Sequence, residues 1–191
     1  MTEPGVTREE SGERPAGRAH LVGLGSPHGG DRLGWLAVEA LREALAGRDD
    51  INIDCLAQPV DLFLPRVASS ERVLLIDAMR GRGPPGTLEA FAPGELPETA
   101  ALACLSSLSS HGLDLAGTLA LAETLGLFPG GIRILGIEMP AEIPKEADPE
   151  MPEPCLNEAT RRRLHAAVLG WLDGDAHRDI GPRWPAGPGV P

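Results

Sequence analysis

The sequence predicts an α/β protein, a three-layer αβα domain around a mixed, mostly parallel sheet of about five strands. Two patterns carry this expectation. Short apolar runs that end in turn residues alternate with segments whose apolar residues recur every three to four positions. One connection is also too short for a crossover helix, which makes the strand after it run antiparallel. Length sets the scale, because 191 residues can bury one continuous core but not two ordinary ones.

The first apolar run, AHLVGLG, ends in glycines and suits a buried strand entering a tight turn. Over residues 32–46, Leu33, Leu36, Ala37, Ala40, Leu41, Ala44 and Leu45 line one helix face, and Gly47 supplies a stop. INIDCLA is the second strand, QPVDLFLPRV a short helix closed by Pro65, and RVLLIDA a third strand ending at Asp77. MRGRGPPG then leads into TLEAFAP, the reversed strand. SSHGLDLAGTLALAETLG reads as a helix with Ser110 as N-cap and His111 in its first turn. IRILGIE is the last strand, an acidic, Pro-rich loop follows between Glu138 and Glu158, and a final helix to Leu172 carries Leu164, Val168, Trp171 and Leu172 on one face.

The two ends are expected to lie outside this domain. Residues 1–18 are polar and rich in Glu, Arg, Gly and Pro, and residues 175–191 are rich in Pro and Gly, so neither buries enough apolar surface to offset its ordering entropy. The domain is assigned to residues 19–174, with Trp184 in the C-terminal tail as a large apolar group that can dock. A net charge of -11 and 3% aromatic residues argue against nucleic acid as a partner. There is no apolar run of membrane-spanning length and no secretory signal pattern, and Cys55, Cys104 and Cys155 are widely spaced with no C-x-x-C pair. A cytoplasmic protein with reduced thiols and no membrane association is the expectation.

In open α/β sheets ligands bind beyond the carboxyl ends of the strands, where the strand order reverses. That edge carries His28 and Asp31 after the first strand, Asp77 at the end of the third and His111 at the start of the later helix. Two carboxylates and an imidazole suit a divalent metal such as nickel, zinc or iron, and equally suit proton transfer between crowded acids. The residues alone leave both uses open. GLGSPHGG imitates a dinucleotide loop, but the third glycine of the fingerprint falls on His28. Glu138 reads as an acid beginning a loop, the acidic loop as a solvated surface, and Arg161, Arg162 and Arg163 as a solvent face.

The blocks LVGLGSPHGGDRLGW, LLIDAMRGRGPPGTL, SSHGLDLAGTLALAETLG and IRILGIE resemble the successive signature blocks of the hydrogenase maturation protease family, and they span most of residues 19–138. The resemblance implies an endopeptidase that removes the C-terminal extension of a nickel-iron hydrogenase large-subunit precursor after nickel insertion. It implies no tightly bound cofactor, since the nickel belongs to the substrate. The family's metal-contacting positions fall on Asp31, Asp77 and His111. This chain departs from the pattern at Ser26, where Asn is usual, and at Gly30, which replaces the first of two adjacent acids. Asp31 keeps the Asp-x-x-Gly spacing of the second, contacting acid, and His28 stands by as an additional donor. A catalytically inactive relative acting as a precursor-binding chaperone, and a nucleotide-binding α/β enzyme, are the rival readings. Oligomeric state is left open.

Overall fold

A computed structural model of the chain describes residues 19–26, 32–95, 115–128, 131–140 and 155–173. Strands β1 (Ala19–Leu24), β2 (Ile51–Leu56), β3 (Arg72–Met79), β4 (Leu88–Phe91) and β5 (Ile132–Glu138) form one sheet in the order β2-β1-β3-β5-β4. β1, β2, β3 and β5 are mutually parallel and β4 alone is antiparallel, pairing with β5. The reversal follows from the connection between β3 and β4, which holds no helix. From β1 the chain goes outward to β2, then returns to place β3 on the other side of β1. The switch point therefore lies between β1 and β3.

Helices cover both faces of the sheet, which is why the parallel strands read as continuous apolar runs rather than alternating ones. On one face Leu21, Leu74, Ile76, Leu135 and Ile137 pack against α1 (Leu33–Arg42) and the last helix, α4 (Glu158–Leu172). On the other, Val22, Val73, Leu75, Met79 and Ile134 pack against α3 (Leu115–Thr124), the 3-10 helix Pro59–Phe63 and the short α2 (Pro65–Ala68). These are the three expected layers. The Asn157 side chain accepts the Thr160 N–H at 3.0 Å and starts α4, a cap contributing about 1 kcal/mol. Arg72 donates to the carbonyls of Trp171 and Leu172 at 3.0 and 2.7 Å and closes its other end.

The structure corrects several boundaries. Pro65 does not close the segment after β2. A 3-10 helix ends at Phe63 and Pro65 opens α2 as its first residue, where a missing N–H costs nothing. The helix after β1 stops at Arg42 and the chain continues in turns to Gly47, whose φ is +91°. β3 runs on to Met79, so Asp77 lies within the strand, beside Gly136 of β5. Ser110, Cys104, Trp184 and both assigned tails lie outside the described residues.

His20 is a buried polar residue that the apolar run concealed. It is 1% exposed; its Nε2 lies 3.0 Å from Asp54 Oδ2 and its Nδ1 3.0 Å from the buried Ser70 hydroxyl, while Arg66 also donates to Asp54 at 3.1 Å. The grouping is not a serine nucleophile site: Ser70 is 2% exposed and precedes β3, at the sheet end away from the strand carboxyl termini. Burial holds the imidazole below its ordinary value despite the Asp54 carboxylate, and the nearby Arg66 cation pushes the same way as burial. A depressed folded-state value means that the unfolded chain binds more protons once pH falls below about 6.5, so stability is lost through that window. His20→Gln, which cannot titrate, is expected to flatten the fall in Tm between pH 7 and 5; identical slopes in the two proteins would contradict this.

Candidate active site

The carboxyl edge of the sheet is shaped first by two glycines. A Cβ on Gly34, in the first turn of α1, would overlap the Leu24 carbonyl oxygen and fall 2.6 Å from that of Ile76. One on Gly23 would lie 2.5 Å from the Gly34 oxygen. The start of α1 is thus set directly over the ends of β1 and β3, and only hydrogen at both positions permits the approach. Trp35 fixes the same turn laterally, its indole N–H donating to the Leu56 carbonyl at the end of β2 at 3.0 Å.

Asp77 stands where this edge meets β5. It is 5% exposed, and its Oδ1 accepts the N–H of Ala78 at 2.7 Å. Strand alternation puts it on the face shared by Leu75 and Met79, the face that α3 covers. Its neighbour across the ladder, Gly136, has no side chain, and the Met79 side chain takes that space: a Cβ there would be 2.6 Å from the Met79 sulfur.

Of the candidate site residues His28, Asp31, Asp77 and His111, Asp77 is the one the structure places. His28, Asp31 and His111 lie outside the described residues, so their convergence on Asp77 stands as an expectation. Their chain neighbours are placed: Arg32 follows Asp31 directly and leads into α1, and Leu115, four residues after His111, is buried against the same cluster as Leu75 and Met79. Among the described residues no three His, Cys, Asp or Glu side chains are grouped to hold a metal ion. Burial pushes the Cys55 and Cys155 thiols up, which suits neither for nucleophilic attack near neutral pH.

Glu138 has a larger structural part than an acid beginning a loop. It is 2% exposed, and its two carboxylate oxygens accept the N–H groups of Gly81 and Arg82 at 2.6 and 3.0 Å. Its own backbone accepts from Gly86 at 2.9 Å and donates to Thr87 at 2.8 Å. The loop between β3 and β4 is thereby fastened at both ends to the end of β5. The sequence carried only a faint signal of this, an acid closing a strand opposite a glycine-rich loop. Glu138→Ala would orphan two N–H groups in one step and is expected to cost about 2–4 kcal/mol of stability, read as a lower midpoint in denaturant. An unchanged midpoint would contradict the clamp.

Arg161 and Arg162 are exposed as expected, with Arg161 also donating to the Leu156 carbonyl at 2.7 Å. Arg163 is half-buried, its Nε inaccessible, so the three do not form a uniform solvent face. No described helix is long and apolar enough to cross a membrane.

An open α/β sheet with a buried carboxylate beside its switch point is the arrangement in which α/β proteins bind ligands at the strand-carboxyl edge. Comparison narrows the class. The family model "HycI: Hydrogenase maturation protease" matches residues 37–162, and the chain belongs to the hydrogenase maturation protease family. Among solved structures, the chain is similar to the hydrogenase maturating endopeptidase HybD from E. coli, at 22% identity and a TM-score of 0.57, with 83% of this chain and 93% of that one covered. It is similar to the [NiFe] hydrogenase maturation protease HycI from Thermococcus kodakarensis KOD1, at 22% identity and TM-score 0.56, covering 82% and 93%. The endopeptidase HycI from Escherichia coli gives 21% identity and 0.57, covering 81% and 90%. At these identities the likeness is one of fold. No curated protein matches the chain at a significant level.

Proposed function

We propose that this protein is a cytoplasmic endopeptidase that removes the C-terminal extension of a nickel-iron hydrogenase large-subunit precursor once nickel is in place, with Asp31, Asp77 and His111 as its contacting groups. The observation that carries the reading is Asp77, a buried carboxylate at the switch-point edge of a chain that belongs to the maturation protease family. Asp31 is supported by its place three residues before Gly34, whose contact with Leu24 and Ile76 fixes the turn that follows it. His111 is supported by its place just ahead of α3, the helix covering the Asp77 face.

The nickel is substrate, held by the precursor. Three oxygen and nitrogen donors are too few to close a site around a metal by themselves, and so suit recognition of one that arrives already bound. Metal so engaged would polarise the neighbouring peptide carbonyl. The route without metal participation has the two carboxylates activating water, as in aspartic proteases. His28 is an auxiliary donor in either. The experiment is incubation of the purified protein with precursor prepared with and without nickel, followed by intact mass. The reading expects shortening of the nickel-loaded form alone; shortening of both forms equally would refute the nickel requirement.

Gly30, standing where the family has its first acid, favours a second reading, a precursor-binding chaperone without peptidase activity. Stable binding of the nickel-loaded precursor with no change in its mass would support that reading over the first.

A further inference from the structure

Glu89 stands in one row with Asp77. Both are paired with Gly136 of β5, Asp77 in the parallel ladder and Glu89 in the antiparallel one, so the three positions share a sheet face and Gly136 puts no side chain between the two acids. Two strand spacings separate the acids, about 10 Å between Cα atoms. The Met79 side chain occupies the space above Gly136 and floors the gap. Phe91, two residues beyond Glu89, lies on the same face, in the cluster with Leu75 and Met79. Glu138, paired with Met79, points the same way.

Arg82 arrives at this row from the loop after β3 and is held there from three directions. Its backbone N–H donates to Glu138 at 3.0 Å, its Nε and Nη2 donate to the Glu89 carboxylate at 2.9 and 2.5 Å, and its guanidinium carbon stands 5.8 Å from the centre of the Phe91 ring. The side chain is nevertheless 37% exposed, and Nη1 has no hydrogen-bond partner among the described residues. An exposed ion pair adds little to stability, so the fold gains little from this restraint. A ligand gains more: a guanidinium already fixed along one edge offers the N–H groups of its other edge with little further rotamer freedom to lose. Glu89 neutralises the cation, and Asp77 and Glu138 place two more carboxylates on the same face, which disfavours another anion and favours a neutral carbonyl oxygen.

We infer that Arg82 is a substrate-binding residue, donating from Nη1 to a main-chain carbonyl of the precursor within about three residues of the cleaved bond, the length of extended peptide that spans the row from Asp77 to Glu89. The inference rests on the peptidase reading and specifies one grip on the peptide. Arg82 touches no reacting atom in this arrangement, so its loss weakens binding rather than turnover.

The test uses the full chain and the nickel-loaded precursor. Arg82→Gln is expected to raise KM for processing about tenfold, with kcat and Tm little changed, as befits the loss of one hydrogen bond from a charged donor at an exposed site. The same substitution leaves Glu89 without its partner, so a second variant combines Arg82→Gln with Glu89→Gln. The raised KM should persist in that double variant; a KM restored to the wild-type value would trace the defect to the stranded acid and overturn the inference. A neutral acceptor also predicts that the ratio of variant to wild-type KM holds as salt is added, whereas a ratio falling to one would show a carboxylate partner and overturn the carbonyl assignment. Precursor affinity measured in Asp77→Asn protein, with and without Arg82→Gln, judges Arg82 independently of cutting. Affinity unchanged by Arg82→Gln would overturn the inference. A wild type that binds the precursor through Arg82 without shortening it would support the grip and refute the peptidase reading alone.

Discussion

Asp77→Asn is expected to reduce processing of the nickel-loaded precursor by at least about a hundredfold, the usual cost of removing a group that transfers protons or carries essential charge. The fold should survive it. Asn keeps an Oδ1 in place to accept the Ala78 N–H now held at 2.7 Å, so the stability change should stay within about 1 kcal/mol. The substitution thus separates charge from shape at a buried position. Mass spectrometry of the precursor over time, beside a denaturant titration of the variant, reads both quantities. A variant that processes normally would remove Asp77 from the chemistry. One that is inactive because it is unfolded would make Asp77 a packing residue.

The largest effect on stability is expected at Gly34. Adding one methyl group there places carbon against the Leu24 carbonyl and 2.6 Å from the Ile76 oxygen, both of them backbone in the central pair of strands. Neither can turn aside as a side chain would, so α1 must lift from the sheet. Gly34→Ala is expected to cost more than about 3 kcal/mol, above the usual range for overpacking, and Gly34→Val to leave no cooperative fold. Gly47→Ala is the control. Gly47 has φ +91° but nothing within 4 Å of its missing Cβ, so its cost should be near the conformational one, about 1 kcal/mol. Equal midpoints for the two alanine variants would contradict the close approach.

Much of this architecture could be read from residue order because apolar periodicity and connection length both act locally. The runs around Leu21, Leu74 and Ile134 have no polar alternation since helices cover both sheet faces, and the β3–β4 connection is too short to cross over. Most of what escaped depends on partners distant in sequence, Pro65 being the local exception. Pro65 suits the first turn of a helix as well as the end of one, and only the turn at Leu64, with ψ 135°, decides between them. His20 sits in an apolar run, and nothing nearby announces Asp54 or Ser70 as its partners. Glu138 looked like an acid beginning a loop because the N–H groups it binds lie more than fifty residues away. The candidate site was legible at Asp77, since an acid closing an apolar run is visible in one dimension. Gly34 was visible only as a spacing, and its physical reason is the contact with two strand ends.

Asp31, Asp77 and His111 are expected to act as one site on a nickel-loaded precursor. The direct measurement is the intact mass of that precursor after incubation with the wild type and with Asp31→Asn, Asp77→Asn and His111→Ala, each variant first shown to keep the wild-type Tm. A shortened precursor is expected with the wild type and a full-length one with each variant. Full processing by all three variants, or no shortening by the wild type, would contradict it.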